Sequence, residues 1–177
     1  MFAKVDDVCL DAVNRMASRM QEQMNVTMPM ILRQVATATI LATILAMIAT
    51  ALMRTSVATM ITLVFGVITI GSFWRLLVRY SRDAEKDWNS DLARDYMVRA
   101  IGATEGQRGM RHIGLIFSII ALVLSISIVQ FRPFDLVDLT MLFLIFSTMG
   151  HMYFSCAEPK PPGSQRREFK LAYQNTP

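Results

Sequence analysis

From Ile31 to Val78 the chain is apolar almost without interruption. Few features constrain a fold more tightly. As one continuous helix the block would be about 72 Å long at 1.5 Å per residue. That is more than twice the roughly 30 Å of hydrocarbon in a bilayer. It must therefore be two helices joined by a short turn. The only polar cluster near its middle is Arg54, Thr55 and Ser56 in "ALMRTSVATM". An arginine at the bilayer centre costs about 2.5–3.5 kcal/mol even on lenient insertion scales. At a turn it can snorkel into the headgroups. Arg54 is therefore expected at the outer end of a helical hairpin, with spans near 31–53 and 57–76.

A second pair of blocks follows. "IGLIFSIIALVLSISIVQF" covers 113–131 and "LVDLTMLFLIFSTMGHMYFS" covers 136–155, with the Arg132-Pro133 turn between them. With 53% hydrophobic and only 18% charged residues, too little chain remains outside these blocks for an ordinary globular core. Soluble domains carry roughly a quarter charged residues. The expected fold class is all-α: a polytopic membrane protein of four transmembrane helices in two hairpins. The start "MFAKVDDVCL" lacks the apolar h-region of a secretory signal, so the first span is read as an uncleaved anchor.

Orientation follows from the basic residues. Of eighteen lysines and arginines, only Arg54 and Arg132 fall in the two short turns. The rest lie in the N-terminal flank, the long middle connection and the tail. The positive-inside rule then puts both termini in the cytoplasm, and a bacterial inner (plasma) membrane is the expected location. The net charge of +4 is read as this topology and not as a nucleic-acid footprint. Cys9 and Cys156 fall in cytoplasmic flanks, where thiols stay reduced, so no disulfide is expected.

Five segments result. Residues 1–30 form an amphipathic interfacial helix with Val5, Cys9, Ala12, Met16 and Met20 along its apolar stripe, Thr27 as a cap and Pro29 opening the next helix. Residues 31–78 are the first hairpin. Residues 79–112 are a cytoplasmic amphipathic helix, then a flexible return broken at Gly102, Gly106 and Gly109. Residues 113–156 are the second hairpin, and 157–177 an extended cytoplasmic tail.

Three sets of residues are candidates for function. Ala38, Ala42, Ala46 and Thr50 share one helix face, and Ala58, Thr62 and Gly66 repeat the spacing, with Gly71 a further point of close approach. This small-xxx-small pattern lets helices pack tightly, while Ile40, Ile44 and Ile48 form a bulkier face. In the middle connection Asp83, Asp87, Asp91 and Asp95 stand four apart beside an apolar stripe that runs from Ala84 through Trp88, Leu92 and Tyr96 to Ala100. Like charges at that spacing repel mildly, and neighbouring basic residues relieve them. Asp83, Asp87, Trp88, Asp91, Leu92, Asp95 and Tyr96 form a surface suited to docking a partner. A Mg²⁺ site would need a fuller oxygen shell. Finally, His112, His151 and Cys156 fall toward the same end of the second hairpin. Imidazole is a common haem and metal ligand, but these residues have no fixed-spacing motif. The fourteen methionines fit adaptable packing better than a Cu(I) site.

No catalytic residue and no cofactor is assigned from the sequence. The preferred reading is a non-enzymatic membrane subunit, or an assembly or stabilising factor, of a larger membrane protein complex. Its partners would be the bilayer and either other membrane subunits or further copies of itself, without nucleic acid. The alternatives are a homo-oligomeric channel or small transporter, and a haem- or metal-binding protein using His112 and His151.

Overall fold

The computed structural model describes residues 2–53, 57–129 and 135–161. They form six helices: α1 (Phe2–Gln23), α2 (Met28–Met53), α3 (Val57–Ala84), α4 (Ser90–Gly106), α5 (Arg108–Val129) and α6 (Leu136–Ser155). Three are long and apolar enough to cross a membrane over Met28–Leu52, Thr62–Ala84 and Leu136–Ser155. A fourth span results if α4 and α5, bent by 65° at their junction, count together. The chain is an all-α integral membrane protein. The turn assigned to Arg54, Thr55 and Ser56 and the turn at Arg132-Pro133 lie outside the described residues, as does the tail beyond Pro161.

α2 is the central helix. It packs along α3 on one side and α6 on the other, and α5 lies against α6. Accordingly 44% of the apolar window of α2 is buried by protein, against 11% for α3. Small residues explain how α2 serves two neighbours. Ala36, Ala42, Ala46 and Ala49 are fully enclosed, and the hydroxyls of Thr39, Thr43 and Thr50 donate to carbonyls one turn back in the same helix. No polar group on this face is left seeking a partner, so the backbones approach without a desolvation cost. Gly66 on α3 meets the Met47 side chain, and Gly114 on α5 meets Met149 on α6. Gly71, expected as another close approach, faces open space.

The connections depart from the sequence reading in three places. First, α1 ends where Asn25 adopts φ 50°, a left-handed conformation that asparagine tolerates. Pro29 does sit in the first turn of α2, but the Thr27 hydroxyl makes no hydrogen bond, so only its carbonyl engages the helix, accepting from the Ile31 amide at 3.1 Å. Second, the helix of the second span stops at Ala84 and does not continue through the acidic ladder. Asn89 starts a new helix by accepting from the Leu92 amide at 2.8 Å. Third, Gly102 and Gly109 are helical, and the chain breaks only around Gly106–Gln107. A helical glycine costs about 1 kcal/mol, which tertiary contacts outweigh here.

α1 is also rotated from the expected stripe. Val5, Ala12 and Met16 are exposed, whereas Asp6 and Ala17 are buried, with Leu10, Val13 and Met20 half-buried between them. The inward face runs 6, 10, 13, 17 and 20, and it begins with a carboxylate.

Candidate functional site

That carboxylate lies at the centre of the best-organised polar site. Asp6 and Arg111 are 2% and 1% exposed, and they pair bidentately. Arg111 Nε donates to Asp6 Oδ1 and Nη2 to Oδ2, each at 3.0 Å. The Tyr153 hydroxyl donates to Oδ1 at 2.8 Å. The remaining guanidinium nitrogen, Nη1, donates to the Thr104 and Ala103 carbonyls at 3.0 and 3.3 Å. These are end carbonyls of α4, where a cation also meets the negative pole of the helix. One arginine from the first turn of α5 thus bonds α1 and α4, and Tyr153 ties α6 to the same carboxylate.

Burial alone would raise the pKa of the Asp6 carboxyl. The hydrogen bonds from Arg111 and Tyr153, with the positive charge of Arg111, outweigh it and hold the group below the usual carboxylate range. Both charges are compensated, and both carboxylate oxygens and all three guanidinium nitrogens are hydrogen-bonded, as a buried ion pair requires.

A second cluster forms where α3 meets α4. Asp83 accepts from Lys86 Nζ at 2.8 Å and from the Tyr96 hydroxyl at 3.0 Å, with Arg99 Nη1 at 3.6 Å. The Arg99 guanidinium lies over the Tyr96 ring, 4.9 Å from its centroid. Trp88 packs against Tyr96 and its indole donates to the Lys160 carbonyl at 2.9 Å. The segment after α6 returns along α1. The Glu158 and Lys160 amides donate to Asn14 and Gln21 at 3.0 and 2.9 Å, and the Lys160 ammonium pairs with Glu22. The apolar stripe of Trp88, Leu92 and Tyr96 is thereby turned inward. Asp87, Asp91 and Asp95 remain exposed, with Asp87 in the connection and Asp91 and Asp95 on α4, so the four acids do not share one helix.

The histidines and the cysteine do not converge. His112 Nε2 lies 3.7 Å from Asp6. His151 is buried elsewhere, edge-on to Phe73 at 4.8 Å and 3.4 Å from the Tyr80 hydroxyl. Cys156 Sγ is 3.4 Å from Arg111 Nη1. Both cysteines are free, and Cys156 is buried. Among the described residues no three His, Cys, Asp or Glu stand close enough to hold a metal. The haem and metal reading gains no support from this arrangement. Of the small-residue set, Ala42, Ala46, Thr50 and Gly66 are buried, Ala38 and Thr62 are half-buried, and the Ala58 side chain lies outside the described set.

Sequence reasoning missed Asp6, Arg111 and Tyr153. The first carried a signal: an aspartate spaced in register with Val13 and Ala17 on the apolar side of α1. A carboxylate there needs a cation, and "RHIGL" places Arg111 at the mouth of a span.

No protein-family model matches the chain, and no curated protein or solved structure matches it either.

Proposed function

We propose that the chain is a non-enzymatic integral membrane subunit, or an assembly or stabilising factor, of a larger membrane protein complex. It crosses the membrane four times, as two hairpins with α5 as the third span and both termini in the cytoplasm of a bacterial inner membrane. The distribution of basic residues supports that orientation.

The observation that carries the functional reading is an open cleft within the apolar zone. α3 is held by α2 and α5 by α6, and between them lies a space of about 440 Å³. Its walls include Ile68, Phe73, Ile113, Phe117, Leu144 and Met149, with the hydroxyls of Thr69, Ser72 and Thr148 among them. Apolar walls suit a transmembrane helix of another chain, since van der Waals packing drives association in lipid; the Ser72 and Thr148 hydroxyls donate within their own helices and keep lone pairs to accept from a partner. The exposed carboxylates Asp87, Asp91 and Asp95 offer a polar contact outside the membrane. A channel or small transporter is less well supported. The buried threonine hydroxyls of α2 are committed to their own helix and line no route.

The test is mild extraction from the native membrane followed by mass spectrometry of the intact assembly, with a photo-reactive residue at Phe117 to report on the cleft. The expected result is a different chain in fixed stoichiometry, crosslinked from Phe117. A homo-oligomer crosslinked to itself would replace this reading with the channel or transporter. A monomer without crosslinks would remove both.

A further inference from the structure

A second cavity lies at the same end of the molecule as the Asp6–Arg111 pair. It has about 180 Å³ and is enclosed by the start of α2, the end of α3, α4 and the end of α6. Its polar lining is Arg79, Tyr80, Tyr96, Arg99, Gln107 and Ser155, and Met28 and Leu32 close the apolar side. One water takes about 30 Å³ of liquid and a drug-sized ligand needs 300 Å³ or more. The cavity therefore suits a small polar group and excludes a large organic ligand.

The charge balance gives its sign. Two guanidinium groups line the space, and no carboxylate does. Arg79 has no ion pair with any described residue. Arg99 is the loosest of the three partners of Asp83, which already accepts from Lys86 and Tyr96 at shorter range. Arg99 Nη1 is buried and makes no hydrogen bond. This same nitrogen stands 3.6 Å from Asp83, beyond hydrogen-bond range, so the charge is loosely paired while the buried donor lacks a close acceptor, which an anion in the cavity would supply. Arginine pairs bound to phosphate in forked geometry are among the strongest polar contacts.

We propose that this cavity binds a phosphate group, with Arg79 and Arg99 as its cationic ligands. The group can belong to the headgroup of an anionic phospholipid or to a free phosphate. Basic pockets between membrane helices at the cytoplasmic surface suit the former. Met28 and Leu32 would then adjoin the start of the acyl region.

The test uses the full chain in two arms: thermal unfolding in detergent with and without inorganic phosphate, and native mass spectrometry from nanodiscs of phosphatidylglycerol or of phosphatidylcholine. The comparison is between the natural chain, Arg79→Gln, Arg99→Gln and Arg94→Gln, an exposed arginine outside the lining. Stabilisation by phosphate assigns the site to a soluble phosphate. Selective retention of phosphatidylglycerol without a phosphate effect assigns it to a headgroup. In either case Arg79→Gln weakens binding by about tenfold, the range set by one charge-assisted contact, and Arg94→Gln does not. Arg99→Gln also loosens Asp83 and Tyr96; if it fails to fold, Arg79→Gln alone decides. Binding in neither arm, or binding that Arg79→Gln and Arg94→Gln alter equally, overturns the proposal.

Discussion

Asp6 shows what a single buried charge demands. Its carboxylate is held by Arg111 and Tyr153, and either charge without the other would be stranded in a low-dielectric site. Asp6→Asn should therefore destabilise the folded chain in detergent by about 3–5 kcal/mol, the usual cost of breaking a buried pair by removing one partner. Replacing Asp6 and Arg111 together by leucine and methionine should cost much less, because no charge is left behind. Thermal unfolding of the two variants distinguishes these outcomes; equal losses would mean that the pair is not the source of the stability. The pH dependence has a fixed sign. The folded-state pKa of Asp6 lies below its ordinary value of 3.8, so its contribution is complete above about pH 4 and is lost as pH falls through the depressed value. Asp6→Asn should remove that part of the acid sensitivity and leave the profile above pH 5 flat relative to the natural chain.

For the helices, what matters is how closely two backbones approach. Ala42 is fully enclosed and Ile44 is 38% exposed. Ala42→Leu should cost about 1–3 kcal/mol through overpacking, and Ile44→Leu less than about 0.5 kcal/mol, as for other surface changes. Yield and melting temperature in detergent measure both; equal effects would show that the small-residue face of α2 is not a tight contact. This scale also shows what could be read from sequence. Span length and hydropathy accumulate over about twenty residues, so Met28–Met53 and Leu136–Ser155 were legible despite local irregularity. The rotation of α1 was not, because Val5, Ala12 and Met16 are as apolar as the residues facing inward. Only the tertiary pairing of Asp6 settles which side is buried. The break between Ala84 and Ser90 was also hidden, because Trp88, Leu92 and Tyr96 keep a helical spacing across it. In the fold they pack against the first turns of α2 and the segment around Lys160.

Taken as a whole, the molecule is polarised. The Asp6 pair, the Asp83 cluster, the cavity flanked by arginines and the clasp of Glu158 and Lys160 all lie at the end where α2 and α5 begin and α3 and α6 finish. The opposite ends of α2 and α3 carry exposed apolar side chains such as Leu52 and Met60. On the proposed orientation, with that polar end in the cytoplasm, a single cysteine at Thr55 in a cysteine-free chain should react with an impermeant maleimide added to intact cells. One at Glu158 should react only after lysis. Labelling of Glu158 from outside would invert the orientation.

The span of the Asp6–Arg111 pair also orders events in time. Its two halves lie 105 residues apart in the chain, and Tyr153 is 147 residues from Asp6. A ribosome adding about 5–20 residues per second makes the arginine roughly 5–20 seconds after the aspartate, and the tyrosine later still. Throughout that interval the Asp6 carboxylate of α1 lacks its Arg111 counter-ion, so α2 and α3 are made while the N-terminal helix is still undocked. Docking of α1 is thus a late step of biogenesis, completed only when the last span has been made, and a truncated or stalled chain would present an open N-terminal helix to quality-control proteases.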